Sequence, residues 1–166
     1  MQITIRAAEP HDCDRISELL AQIGDLHHRS RPDIFQPNIR KYTPEQLLEI
    51  LNTPEKPIFV AVIDNEANGA AGFVVGYVFC QILNYQGHPV FNSYKTLYID
   101  DICVDEQLRS KGVGSLLLEK CKDLAKEHDC YCIDLNVWKF NEDAIKFYEK
   151  CGFNTRSIRM EYIIQQ

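Results

Sequence analysis

Asp101-Ile102-Cys103-Val104-Asp105-Glu106-Gln107-Leu108-Arg109-Ser110-Lys111-Gly112-Val113-Gly114-Ser115-Leu116-Leu117 passes from an apolar, β-branched stretch through a charged, glycine-bearing one into helical spacing. The strand it closes is expected to begin at Thr96 and end at Val104. The helix it opens is expected over Lys111 to His128, with an apolar stripe of Val113, Leu116, Leu117, Cys121 and Leu124. A further strand is expected from Tyr131 to Val137, so residues 96–137 form a strand-helix-strand unit, which should cross over right-handed.

The loop between Val104 and Gly112 suits an anion. Glycine lets backbone amides approach a ligand with no Cβ in the way. The helix N-terminus brings unpaired N–H groups and the positive dipole end, and Arg109 and Lys111 add charge suited to phosphate. As a bare pattern, Arg-x-x-Gly-x-Gly often does no more than start a helix tightly; its place between strand and helix gives it weight. Two other phosphate loops are excluded. A Walker A loop needs Gly-Lys-Ser/Thr, whereas Gly114 and Ser115 adjoin with no lysine between them, and the dinucleotide fingerprint needs a third glycine where Leu117 stands.

Outward from this unit, Ile3-Thr4-Ile5-Arg6 alternates as a half-buried strand does. Asp12 can cap a helix bearing Cys13, Ile16, Leu19, Leu20 and Ile23, with Gly24 as its expected stop and a loop over His27 to Pro37. Thr43-Pro44-Glu45-Gln46 combines a cap, a proline at the first helical position and a capping box, with Leu47, Leu48 and Leu51 on the apolar side. Strands are expected over Ile58 to Ile63 and Phe73 to Leu83, joined by turn chemistry at Asp64 to Gly69, and a surface loop over Asn84 to Asn92. Asn141 caps a helix with Ala144, Phe147, Tyr148 and Cys151 on one side and Gly152 at its left-handed end; Thr155 to Ile164 is strand-like. Hairpins mixed with a strand-helix-strand unit imply an α/β domain with a mixed, mostly antiparallel sheet flanked by helices.

A chain of 166 residues suits a single domain over residues 1–166. Its 24 acidic against 18 basic side chains, a formal charge of −6, argue against a broad cationic face for nucleic acid. No apolar run approaches membrane-spanning length, and the start lacks the pattern of a signal peptide. The seven cysteines show no metal-ligand spacing; Cys80, Cys103, Cys121, Cys132 and Cys151 fall in apolar stretches and read as free, buried thiols of a reducing cytoplasm.

Arg109 to Gly114 resembles the acyl-CoA loop of the GNAT superfamily of N-acetyltransferases, of the form Arg/Gln-x-x-Gly-x-Gly/Ala. Asn141-Glu142-Asp143-Ala144-Ile145-Lys146-Phe147-Tyr148-Glu149-Lys150-Cys151-Gly152-Phe153 resembles that family's second motif. Both motifs in order are far more specific than either alone. Within the family, Ile99 to Val104 and the Phe147-Tyr148 helix are most similar to spermidine/spermine and related small-amine acetyltransferases. The resemblance implies transfer of an acetyl group from acetyl-CoA to a primary amine of a small molecule, polyamine, amino acid or peptide. It implies direct attack with both substrates bound, and a homodimer is common in the family.

For site residues, the resemblance implies that Arg109, Ser110, Lys111, Gly112, Val113, Gly114 and Ser115 hold the pyrophosphate. Ile102, Cys103 and Val104 would run along the pantetheine like an added strand, with Asn141 and Ala144 also at the cofactor. Tyr148 resembles the tyrosine that protonates the departing thiolate, although periodicity alone makes it a core aromatic. An alkylamine with a pKa near ~10 must lose a proton before attack. Asp100 is the first candidate for that task and Asp101 the second; equally, the pair can bind the cationic amine or merely solvate a strand end. Neighbours on a regular strand face opposite sides, so only one should reach the cleft unless a bulge re-aims them. An acyl-cysteine at Cys103 is disfavoured, because no histidine adjoins it in sequence. His27 and His28 can line the acceptor site but read better as surface histidines without partners, and Trp138 as packing at a strand end. The alternative function is an acyl-CoA-binding sensor or partner-binding domain without turnover; a third reading is a phosphate-binding fold of another class.

Overall fold

The computed structural model describes residues 2–64 and 72–165. They fall into two compact units, Met1–Asn136 and Val137–Gln166. The turn expected after Asp64 lies, from Asn65 onward, outside the described residues.

The first unit contains β1 (Ile3–Ala7), α1 (Cys13–Ser30), α2 (Pro44–Leu51), β2 (Ile58–Ile63), β3 (Phe73–Asn84), β4 (Lys95–Val104), α3 (Val113–Glu127) and β5 (Cys132–Leu135). The five strands lie in chain order. The first four are antiparallel, and β5 joins β4 in parallel, the arrangement a helical crossover requires. This is the mixed α/β fold expected from the sequence. Alternation along β2 explains the layering: Ile58, Val60 and Val62 share a core with Ile16, Leu19 and Leu20 of α1 and Leu47 of α2. Phe59, between them, has the ammonium of Lys120 on α3 5.0 Å above its ring.

Local readings are corrected in four places. Gly24 does not stop α1, which continues to Ser30 and takes His27 and His28 into its last turn. A Cβ at Gly24 would sit 2.4 Å from the carbonyl oxygen of Ile39, so this glycine permits the chain to pass over the helix. On α3, Leu118 is buried and Leu116 is 42% exposed, the reverse of the expected stripe at that turn, and on α2 Leu48 is exposed. Residues 155–164 are not in a strand, although their pattern alternates; a strand requires a neighbouring edge, and no described strand pairs with them. Finally, Cys132 and Cys151 are only partly buried, while Cys13 joins Cys80, Cys103 and Cys121 in the interior; all seven thiols are free.

Two of the three expected caps hold; Asp12 does not cap α1, because its carboxylate is taken by Arg6 at 2.7 Å and by the amide of Glu9 at 2.8 Å. Thr43 Oγ1 accepts from the amide of Gln46 at 3.2 Å, and the Gln46 side chain accepts from the amide of Thr43 at 2.9 Å. In the second unit, Asn141 Oδ1 accepts from the amide of Ala144 at the start of α4 (Glu142–Lys150), and Gly152 ends it at φ 93°. Among the described residues no helix is long and apolar enough to cross a membrane.

Candidate active site

The loop after β4 is built to hold α3 by its amino end. Asp105 caps the short turn Glu106–Leu108 by accepting from the amide of Gln107 at 3.0 Å. Arg15 grips Asp105 from α1 and also donates to the carbonyl of Val74 at 3.1 Å. Arg109 Nε reaches back to the carbonyl of Val104 at 3.4 Å. Ser110 (φ 61°) and Gly112 (φ 84°) then turn left-handed, and nothing lies within 4 Å of where a Cβ of Gly112 would stand. Gly112 accepts the first helical bond, from Leu116 at 3.1 Å. Helix geometry therefore leaves the amides of Val113, Gly114 and Ser115 without helical acceptors, beside Lys111. A helix start of this kind is chemically suited to an anion.

On β4, the ladder to β5 covers Thr96 to Ile99 and stops. Thr96, fully buried, fastens the two strands by donating to Asp134 Oδ1 at 2.8 Å. Beyond Ile99, β4 pairs only with β3 among the described residues, so Ile102, Cys103 and Val104 keep one backbone edge open.

At the point of divergence the register against β3 slips: Asp101 faces Phe79 and Ile99 faces Cys80, leaving Asp100 as the extra residue of a bulge. The consequence is chemical. Lys41 Nζ lies 2.9 Å from Asp100 Oδ2 and 3.5 Å from Asp101 Oδ2, so one ammonium touches both carboxylates. The Tyr42 hydroxyl donates to Asp100, and the buried Tyr77 hydroxyl donates to Asp101 Oδ1 at 3.1 Å. Tyr42 stacks on Phe79 at 5.4 Å, which meets Tyr77 edge-on at 5.1 Å.

Burial raises the Asp101 carboxyl above the ordinary carboxylate range, opposed by the charge of Lys41 and the bond from Tyr77. The phenols of Tyr42 and Tyr77 are pushed up by burial and by these carboxylates, so both remain donors. Cys103 is pushed up to about 12 by burial and Asp101, and its Sγ faces the carbonyl of Leu19 at 3.7 Å; it is a thiol, not a nucleophile. His27 stacks on Phe35 at 4.9 Å and is held below the usual histidine range by burial and then by Lys41, while His28 Nδ1 lies 2.7 Å from the carbonyl of Phe35. The reading of these two as surface histidines without partners is thus corrected.

Sequence reasoning missed Lys41, Tyr42 and Tyr77. Tyr77 hides in an apolar strand, and Lys41 and Tyr42 lie outside any helix or strand, just before the capping box at Thr43. Asn141, Ala144 and Tyr148 belong to the second unit, where Tyr148 is half-buried on α4 with its ring 5.7 Å from that of Phe153. Trp138, in the same unit, stacks on Phe140 at 5.8 Å and is 40% exposed.

Residues 20–153 match the Acetyltransferase (GNAT) family. The chain is 28% identical over 124 residues to glucosamine 6-phosphate N-acetyltransferase 1 of Dictyostelium discoideum, covering 72% of this chain and 73% of that one. It is 25% identical over 158 residues to thialysine N-epsilon-acetyltransferase of Bos taurus, covering 90% and 83%. Among solved structures, a tetramutant of the BH1408 protein from Bacillus halodurans superposes with a TM-score of 0.89 at 28% identity, covering 97% and 99%.

Proposed function

Because the chain belongs to the acetyltransferase (GNAT) family, and is thereby an acetyltransferase of amines with acetyl-CoA as acyl donor, we propose that its acceptor is a small cationic primary amine, polyamines included. One observation carries this reading: the bulge turns Asp100 and Asp101 onto a single ammonium, that of Lys41. Lys41 is itself a primary alkylammonium, so it stands where the acceptor's head would sit. Paired carboxylates attract such a head and repel phosphate, which sets this site apart from one for a sugar phosphate.

In the proposed reaction Asp101, whose raised pKa suits a base, takes a proton from the bound amine, while Asp100, oriented by Tyr42, holds the ammonium. The free amine attacks the thioester carbonyl in a ternary complex; the C–N bond forms, the C–S bond breaks, Tyr148 gives the departing thiolate its proton, and the second proton, shed by the newly acylated nitrogen, returns Tyr148 to its phenol through solvent. The edge of Ile102, Cys103 and Val104 pairs with the pantetheine and the Arg109–Ser115 loop takes the pyrophosphate; the resemblance of the second motif to the family's assigns Asn141 and Ala144 to the cofactor as well.

The test is CoA release on mixing the protein with acetyl-CoA and a panel of amines. Cationic primary amines should turn over, and Tyr148→Phe should slow release by roughly 10²-fold. Tight binding of acetyl-CoA with no turnover of any amine, peptide or aminoglycoside would refute the reading and leave an acyl-CoA-binding sensor in its place.

A further inference from the structure

We infer that Lys41 is itself an acetyl acceptor: in the absence of an external amine, each chain transfers the acetyl group of acetyl-CoA to its own Lys41 Nζ. The inference rests on the acceptor site proposed above and adds a modification site to it.

Position is the first argument. Lys41 Nζ lies 2.9 Å from Asp100 Oδ2 and 3.5 Å from Asp101 Oδ2, and it also donates to the backbone carbonyl of Asp100 at 3.0 Å. The chain on its far side is fastened as well. Tyr42 donates to Asp100 and stacks on Phe79 at 5.4 Å, and Thr43 caps α2. The lysine head is thus delivered to both carboxylates by the way its own segment is anchored.

Chemistry is the second. A lysine head is a primary alkylammonium on a flexible four-carbon stem, the same group that the carboxylate pair is proposed to hold in an external acceptor. It needs only to lose a proton to become a nucleophile, and Asp101 stands beside it for that purpose. Because this amine is tethered to the site, its effective concentration there is high before any external amine arrives. Its side chain is 39% exposed, so the head is held at the surface of the site and is not locked in the core.

Other lysines differ in setting. Lys126 and Lys146 are 78% and 70% exposed, and each pairs with a single carboxylate of its own helix, Asp123 and Glu142. Unassisted acylation by acetyl-CoA favours these accessible amines over Lys41. Assisted transfer favours Lys41 over them.

The step balances. Asp101 takes one proton from the Nζ ammonium and passes it to solvent; Nζ attacks the thioester carbonyl, the C–N bond forms and the C–S bond breaks. The nitrogen's second proton balances the one gained by the CoA sulfur. The products are CoA and a neutral acetyl-lysine, whose lost charge frees both carboxylates for an external ammonium.

The experiment incubates the full chain with acetyl-CoA and no amine, follows CoA release, and locates acetyl groups by peptide mass spectrometry over time. Lys41→Arg, which keeps a cation but not a nucleophile, and Asp101→Asn are run alongside. Lys41 should be acetylated roughly tenfold or more faster than Lys126 and Lys146, with a rate constant independent of protein concentration. CoA release should level off near a single equivalent per chain, and Lys41→Arg should lose this release. Asp101→Asn should slow the modification by roughly tenfold or more, and an added cationic primary amine should suppress it. Lys41 modified no faster than Lys126 and Lys146, or at a rate constant that rises with protein concentration, or unchanged in Asp101→Asn, overturns the inference. If amines turn over while Lys41 stays unmodified, self-transfer fails and the proposed acceptor site stands; if neither Lys41 nor any amine is acetylated, both fail.

Discussion

Asp101 joins two properties that pull against each other: it is a carboxylate beside a cation, and its side chain is largely shielded from solvent, with the Tyr77 hydroxyl bonded to it. Burial dominates, so its folded pKa lies above its unfolded one. The folded state then holds the extra proton between the two values, and this group's contribution to stability is complete below the unfolded pKa and declines as pH rises through the folded one. Activity runs the other way, since only the ionised carboxylate accepts a proton. The value of kcat/KM should fall as pH drops through that raised pKa, and Asp101→Asn should abolish this acidic limb while lowering kcat by about 10²- to 10⁴-fold. A pH-rate profile of both proteins checks it; an unchanged limb in the variant would assign the titration elsewhere. At this scale the candidate pair was legible as Asp100-Asp101, and so was the condition that a bulge must bring both round. Lys41, Tyr42 and Tyr77 were not, because contacts between segments far apart in sequence leave no local pattern.

Elements were legible where their determinants sit within a few residues. The capping box at Thr43, the cap at Asn141 and the left-handed Gly152 all depend on neighbours three or four positions away. Gly24 deceived because its reason lies at Ile39, on a different segment. Alanine is the better helix former by about 1 kcal/mol, yet Gly24→Ala should destabilise the protein by roughly 1–3 kcal/mol, since its methyl meets a carbonyl oxygen. A lowered urea midpoint with an unchanged slope would register this; a stabilised variant would show that the chain at Ile39 gives way to the added methyl at no cost. Gly112 differs, for open space surrounds it and only its φ of 84° demands glycine. Gly112→Ala should cost about 1–2 kcal/mol of stability and, through loss of cradle geometry, weaken acetyl-CoA binding in a titration. The strand expected at the carboxyl end failed for a different reason: alternation specifies a face, but a strand also needs a neighbouring edge, and no described strand pairs with this segment.

For the whole molecule, a mixed sheet that opens on one side of β4 and a helix that begins at an anion cradle are two parts of one device, and both arise from the Asp101 to Leu117 stretch. On the proposed reading, the first would receive the pantetheine along Ile102 to Val104, the second would take the pyrophosphate, and the bulge at Asp100 would mark where the acceptor meets them. Family membership fixes the donor; on the proposed reading, acceptor choice rests on the carboxylate pair. The most direct test is kcat/KM of Asp100→Asn for a cationic primary amine, with the KM for acetyl-CoA measured alongside. The account predicts a loss of about 10²-fold for the amine and an unchanged acetyl-CoA KM. Undiminished amine turnover, or a loss that falls equally on acetyl-CoA, would contradict the placement of the acceptor at Asp100 and Asp101.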